Sequence, residues 1–507
     1  MTTTNDELND DGDCSLREAV RAANTDLRIS GCAKGSGADT IVLRAATYRF
    51  AAGLDGDDDT AEKGDLDLMG VLTIRGAGAQ KTFVNGNDLD RVFQVLTSAD
   101  VTILRLAVKD GLNFTNSVTG GAGILNSGTL TLTSASLVSN QAAGSNQGLG
   151  NGGGLFNESG ATAILRGVTV TENQTSWGGG GIFSGGTLTL TRSTVSSNSG
   201  HDGGGLAAEG TTTISTTTFS GNATGTTGYG GGISHGGGTF TLTRSTISGN
   251  NSVSGDGLYN ASGTVSLANV TLSGNGVVSA SGNGGGIFNS SSGTSNLSNV
   301  TLLGNSAGGT NTGGNIWNDG IANVENTILA DPVAGSSCRG AGTYNDQGNN
   351  LESGSDCTVA ADGDPLLGPL QNNGGPTKTH ALGAASDALN AGADCEEVDQ
   401  RGVPRPQGPA CDIGALERAL CLGRVVNRVG TQGNDRMVDG AGDHVYLTLG
   451  GRDFVRPGAG ADRVCLGAGN DTADLRDGSG TDRAAGQAGR DRVLRNPGDV
   501  VRGFELF

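Results

Sequence analysis

The sequence predicts an all-β chain built as a right-handed parallel β-helix, and three observations carry that prediction. The first is a run of residues that recurs through the middle of the chain. It reads Gly179-Gly180-Gly181-Ile182-Phe183, then Thr187-Leu188-Thr189-Leu190-Thr191, then Thr194-Val195-Ser196-Ser197-Asn198. Its Thr/Leu alternation places Leu188 and Leu190 on one face of a strand and the threonines on the other. The second is the period. The apolar residue after the glycine corner falls at Ile124, Leu155, Ile182, Leu206, Ile233, Leu258, Ile287 and Ile316. These steps run from 24 residues (Ile182 to Leu206) to 31 (Ile124 to Leu155), one coil of three short strands each. The third is composition: 92 glycines and only 4% aromatic residues suit many thin coils better than one thick core.

Each part of the coil has its own reason. One coil buries too few apolar side chains to offset the ordering of some two dozen residues. Stability must therefore come from stacking, which supplies ladder hydrogen bonds and a continuous core. Glycine at one corner supplies positive φ and close backbone approach. At the other corner Asn140, Asn173, Asn198, Asn222, Asn250, Asn275 and Asn305 recur in step, a residue type that tolerates the left-handed region and stacks into amide ladders.

Charge divides the chain. A net charge of −19 argues against nucleic acid and anionic membrane surfaces and favours calcium as a counter-ion. Between Leu112 and Gly320 only nine side chains are formally charged, so the middle is a neutral, hydroxyl-covered rod and the acidity sits at the ends. The eight cysteines fall as near neighbours: Cys14 and Cys32, Cys338 and Cys357, Cys395 and Cys411, Cys421 and Cys465. None has zinc spacing, so disulfides in an oxidising compartment are expected, which means an extracellular or cell-surface location. No run is long enough to span a bilayer, and the polar start after Met1 shows no signal peptide. A monomer is expected.

Ser15 and Glu18 form an S-x-x-E capping box ahead of Leu16, Ala19, Val20 and Ala23, which follow helical spacing. A short helix there would cover the open end of the solenoid. The run Cys14-Ser15-Leu16-Arg17-Glu18-Ala19 resembles the CSLREA domain of bacterial surface and secreted proteins, and this resemblance implies an extracytoplasmic β-helix. Residues 1–50 are read as this cap and 51–335 as the β-helix. Acidic residues Asp55, Asp57, Asp58, Asp59, Glu62, Asp65 and Asp67 are read as a solvated loop. The glycine corners and terminal Asn are similar to repeats of polymorphic autotransported adhesins.

The segment from Asp364-Pro365-Leu366 through Asn372-Asn373-Gly374-Gly375-Pro376, with Asp399-Gln400-Arg401-Gly402 and Cys411-Asp412-Ile413-Gly414, resembles the choice-of-anchor Q module of bacterial surface proteins. It places an anchor-type module at 336–420. Turn and capping roles are expected for His380, Asp399 and Arg401.

Residues 421–507 carry a second period. Asp435, Asp453, Asp462 and Asp471 are spaced by 18, 9 and 9, with His444 in the skipped place, and Asp482 and Asp491 resume the step. Each Asp follows a glycine by two and precedes an apolar residue by two, as at Met437, Val455 and Val464. This resembles the RTX nonapeptide G-G-x-G-x-D-x-U-x, which implies a β-roll holding Ca2+ on these six aspartates, with the U residue in its core. Arginines follow several of the aspartates, at Arg436, Arg463, Arg483 and Arg492, where they are placed to pair with the carboxylates.

An enzyme reading requires a site. Alginate epimerases join a β-helix to RTX modules, but their Asp-Pro-His-Glu signature is missing: Val333 follows Asp331-Pro332, and Leu366 follows Asp364-Pro365. The four histidines have no catalytic partner motif, and His201-Asp202 reads as a hydrated turn. The function expected is non-enzymatic: an adhesion or matrix-type surface protein with a glycan or surface-protein partner. A lyase or epimerase acting on acidic polysaccharide is the alternative.

Overall fold

The computed structural model describes residues 1–54, 58–113, 120–143, 150–276, 282–308, 312–478 and 481–504. Its repeats stack as the coils of a parallel β-helix. The apolar residues that follow each glycine corner pair directly with one another from coil to coil: Ile124 with Leu155, Ile182, Leu206, Ile233, Leu258, Ile287 and finally Ile316. A second column of strands carries the alternating stretch, with Thr129–Thr133, Thr162–Arg166, Thr187–Thr191 and their successors in parallel register. In Leu258–Ala268 and Ile287–Ser298 the two columns run together as one strand, which joins them into a 21-stranded sheet. A third column closes the coil with 13 strands, from Thr47–Arg49 to Ala361–Asp362.

The inward residues of all three columns form one continuous core in which Leu188, Leu190 and Val195 have no exposure. The coil is narrow, so one side chain per inward position fills it.

The asparagines form the expected ladder, but not through their own backbone. The left-handed conformation falls on the residue before each one, at Ser139, Glu172, Ser197, Gly221, Gly249, Gly274 and Gly304. Each buried Asn instead spends its amide on the stack. From Asn140 to Asn305, each Nδ2 donates to the next Oδ1 at 2.9–3.0 Å, and each backbone N–H reaches the same oxygen at 3.0–3.1 Å. Amides satisfied on both sides can be buried at no net loss. A second, shorter amide ladder ends the first strand column: Asn126 to Asn157 at 2.7 Å, and Asn260 to Asn289 to Asn318 at 2.8 and 2.7 Å.

The N-terminal end is covered by the helix Leu16–Thr25. Ser15 accepts from the Glu18 N–H at 3.1 Å while the Glu18 carboxylate accepts from the Ser15 N–H at 2.9 Å. Arg17, buried beneath it, pairs with Asp6 at 2.7 Å and donates to the Gly64 carbonyl at 2.8 Å. All four cysteine pairs expected from proximity are disulfides, and no cysteine is free. Among the described residues no helix is long and apolar enough to cross a membrane.

Beyond Asp362 the chain leaves the coil and folds back along the flank of the third column. Thr246 donates to the Lys378 carbonyl at 2.6 Å, Thr271 to Gln400 at 2.7 Å, and Arg405 to Asn269 at 3.2 Å. The last segment is a two-sided roll of three-residue strands. One sheet holds Val445–Leu447, Arg463–Cys465, Arg483–Ala485 and Val500–Arg502; the other holds Arg436–Val438, Phe454–Arg456, Thr472–Asp474 and Arg492–Leu494. The middle residues face inward, so Tyr446, Val455, Val464, Ala473 and Ala484 make a core separate from that of the β-helix.

Candidate cation-binding columns

Each three-residue strand of the roll but Val445–Leu447 is preceded by an aspartate, and the 17- to 20-residue step per full turn stacks these aspartates in two columns. One column is Asp435, Asp453, Asp471 and Asp491. The N–H of each donates to the Oδ1 of the next at 2.8, 2.7 and 3.0 Å. The other begins with His444, which occupies an aspartate place, and continues through Asp462 and Asp482 at 2.6 and 2.9 Å. It ends on Asp499, whose Oδ1 accepts from the Asp482 N–H at 3.1 Å. All six aspartates singled out in the sequence lie in these columns. Asp499 was missed, because Pro497-Gly498 breaks the glycine spacing before it; its remaining signal is the apolar Val501 two residues on.

Oδ1 is thus occupied; Oδ2 accepts from the backbone N–H groups of Thr431, Gln487 and Asn496 at Asp435, Asp491 and Asp499, at the ends of the columns. In Asp453, Asp462, Asp471 and Asp482 the second carboxylate oxygen is buried and has no hydrogen-bond partner among the described residues. These side chains are at most 2% exposed. Burial pushes all four carboxyls above the usual carboxylate range, Asp482 to about 7, with Asp477, Asp462 and Asp499 adding like charge. Carboxylate oxygens of Asp462, Asp477 and Asp482 lie within 4.8 Å of one another.

A buried anionic oxygen without a donor is costly unless a cation meets it. Apart from His444 at the head of one column, 3.4 Å from Asp462 Oδ1, the donors are all oxygen, as a hard divalent ion requires. Glycine turns bring backbone carbonyls in close: a Cβ on Gly469 would collide with the Gly451 oxygen, and one on Gly489 with the Gly469 oxygen. The residues therefore fit calcium.

The arginines do not take its place. Arg436 and Arg492 are exposed on the outer face of their sheet, and the Arg436 guanidinium lies over the Phe454 ring at 4.7 Å. Arg463 donates to the Leu422 carbonyl. Side chains adjacent along a strand point to opposite faces, so the residue after the aspartate cannot reach back to its carboxylate.

The N-terminal acidic group is partly a folded clasp rather than a solvated loop. Asp55 and Asp57 lie outside the described residues. Asp65 is buried against Arg91 at 2.9 Å, and Asp67 accepts from the Ala61 N–H at 2.8 Å. Burial and neighbouring Asp65 push the Asp67 carboxyl up to about 8.

Two of the histidines, His380 and His201, make structural contacts. His380 bridges the Gly368 carbonyl at 2.7 Å and the Ser273 hydroxyl at 2.9 Å, which pins the flanking segment to the coil. Asp399 holds Arg401 at 2.8 Å. His201 lies 3.2 Å from Asp202 and 3.1 Å from Thr227, its ring stacked on Trp177 across a glycine corner.

No family model matches the sequence, and no curated protein matches it. Among solved structures the chain is similar to a PL6 family alginate lyase, AlyGC, at 12% identity and a TM-score of 0.27. That match covers 93% of this chain and 69% of the lyase. A likeness so distant carries no argument about activity; the β-helix stands on its own strand pairing.

Proposed function

We propose that this chain is a secreted or cell-surface β-helix protein with an adhesive or matrix-type binding role, its C-terminal roll held together by calcium. The observation that carries the reading is the pair of aspartate columns, in which Asp453, Asp462, Asp471 and Asp482 keep buried, unpartnered Oδ2 atoms. Asp435, Asp453, Asp471 and Asp491 would hold ions along one edge of the roll, and Asp462, Asp482 and Asp499 along the other. The ion supplies charge neutralisation between turns, as the RTX resemblance of this segment implies. The CSLREA-like cap, the anchor-type module and four disulfides support an extracytoplasmic setting. The β-helix itself is a long polar rod that presents threonine and serine on its outer faces.

Equilibrium dialysis with calcium, followed by a glycan array screened with and without chelator, tests the reading. Several ions bound per chain are expected, with fewer on an Asp462→Asn/Asp482→Asn variant. A chain that binds no calcium at millimolar concentration overturns it.

A further inference from the structure

Where the β-helix, the flanking segment and the roll meet, they enclose a cleft of about 500 Å3. The chain carries 51 acidic side chains against 32 basic ones, yet no acidic residue lines this cleft. Three arginines do. Arg401 is tied to Asp399, but Arg192 and Arg244 have neither an ion-pair partner nor a side-chain hydrogen bond among the described residues. The rest of the wall mixes hydroxyls and amides (Ser215, Gln400, Thr431, Gln432) with small apolar surfaces.

The two arginines occupy the same turn, between the second and third strand columns. Arg192 donates its N–H to Ser215 of the next coil at 3.1 Å, and Thr216 donates to Thr243 of the coil after at 3.0 Å, so Arg192 and Arg244 stand two coils apart. That separation is about 9.6 Å at the usual strand spacing. The turn is left-handed, with φ of 52° at Arg192 and 49° at Arg244. The same turn is made with positive φ by Arg105, Ser134, Gly167, Thr216, Asn269, Asn299 and Asn326, so the conformation belongs to the coil and what sets Arg192 and Arg244 apart is the cleft they line.

We infer that the cleft binds an acidic oligosaccharide, a uronate-bearing chain that runs along the helix axis. Two guanidiniums set two coils apart match the spacing of alternate carboxylates on an extended β-1,4-linked chain. A planar guanidinium recognises a carboxylate through paired N–H donors. The Ser215 hydroxyl and the Gln432 amide suit the sugar hydroxyls, and Pro376, Val429 and Leu449 suit the apolar sugar faces. The cleft also touches the cation columns. Thr431, in its wall, donates its N–H to Asp435 Oδ2 at 2.5 Å, so order in the roll and the shape of the cleft are linked.

The inference rests on the proposed binding role and names its ligand class. The test is calorimetric titration with a β-1,4-linked oligomannuronate hexamer and with neutral cellohexaose, each at low and moderate salt. The variants are Arg192→Asn and Arg244→Asn, which keep a residue suited to the turn, with Arg166→Asn outside the cleft as control. Binding of the uronate alone is expected, weakened by salt, at least tenfold weaker in either cleft variant and unchanged in the control. Absence of uronate binding, equal binding of cellohexaose, or affinity unaffected by the cleft variants overturns the inference. A hit on the glycan array that survives both cleft variants keeps the binding role and refutes only this location.

Discussion

A single aspartate shows how the roll is balanced. Asp482 has one oxygen satisfied by the Asp462 N–H and one buried without a partner, and its carboxyl is pushed up to about 7 by burial. The unfolded carboxyl titrates near 3.8. The folded pKa is the higher one, so the folded, calcium-free chain retains a proton that the unfolded chain has lost. This contribution to stability is full below about pH 4 and lost as pH rises through 7. The calcium-free roll is therefore expected to melt at a higher temperature at pH 5 than at pH 8, and saturating calcium should reverse that order, since protons compete with the ion. Melting followed by near-ultraviolet circular dichroism around Tyr446 reads this directly. The Asp482→Asn substitution should remove much of the pH dependence in the absence of calcium.

At the scale of the element, the asparagine ladder is the device that makes coils of unequal length stack in register. Asn198 accepts from the N–H and amide of Asn173, and donates to Asn222 and to the Val170 carbonyl. Asn198→Ala leaves those buried groups unmet, at about 1–3 kcal/mol for each group not reached by water. A loss of about 2–4 kcal/mol is expected in denaturant unfolding, whereas Thr189→Ala, on the outer face, should cost under about 0.5 kcal/mol. The cap is a second such element. Opening the Cys14–Cys32 loop should cost about 3 kcal/mol, seen as a lower denaturant midpoint for the Cys14→Ser/Cys32→Ser variant.

For the whole molecule, separate cores in the β-helix and the roll, with smaller clusters joining the flanking segment to each, mean separate stability regimes. The β-helix core runs unbroken from the capping helix to the coil closed by Cys338–Cys357, while the roll has its own cluster around Tyr446 and Val464. Calorimetry should resolve two transitions. Chelation is expected to lower or abolish that of the roll and to leave that of the β-helix in place. A β-helix transition that moves with calcium would show that the roll and rod fold as one unit.

The division between what was legible and what was not follows from range. The period of the glycine corners, the Thr/Leu alternation and the Asn spacing are local patterns. A solenoid repeats one local pattern against itself, so coil, register, core residues and even the cysteine pairs followed from the sequence. The same logic set the six aspartates of the roll on a recurring step, which the structure stacks into two columns. It could not say that the second oxygens of Asp453, Asp462, Asp471 and Asp482 are buried without donors, nor that arginines beside the aspartates turn away, because both depend on how successive turns stack. The left-handed residue before each ladder asparagine was likewise hidden, since identity alone does not reveal which corner residue carries positive φ. The cleft was the least legible feature. Arg192 and Arg244 are isolated cations in a neutral rod until the flanking segment and the roll fold back beside them. Contacts between residues more than a hundred positions apart leave no periodic trace, and only the tertiary structure decides them.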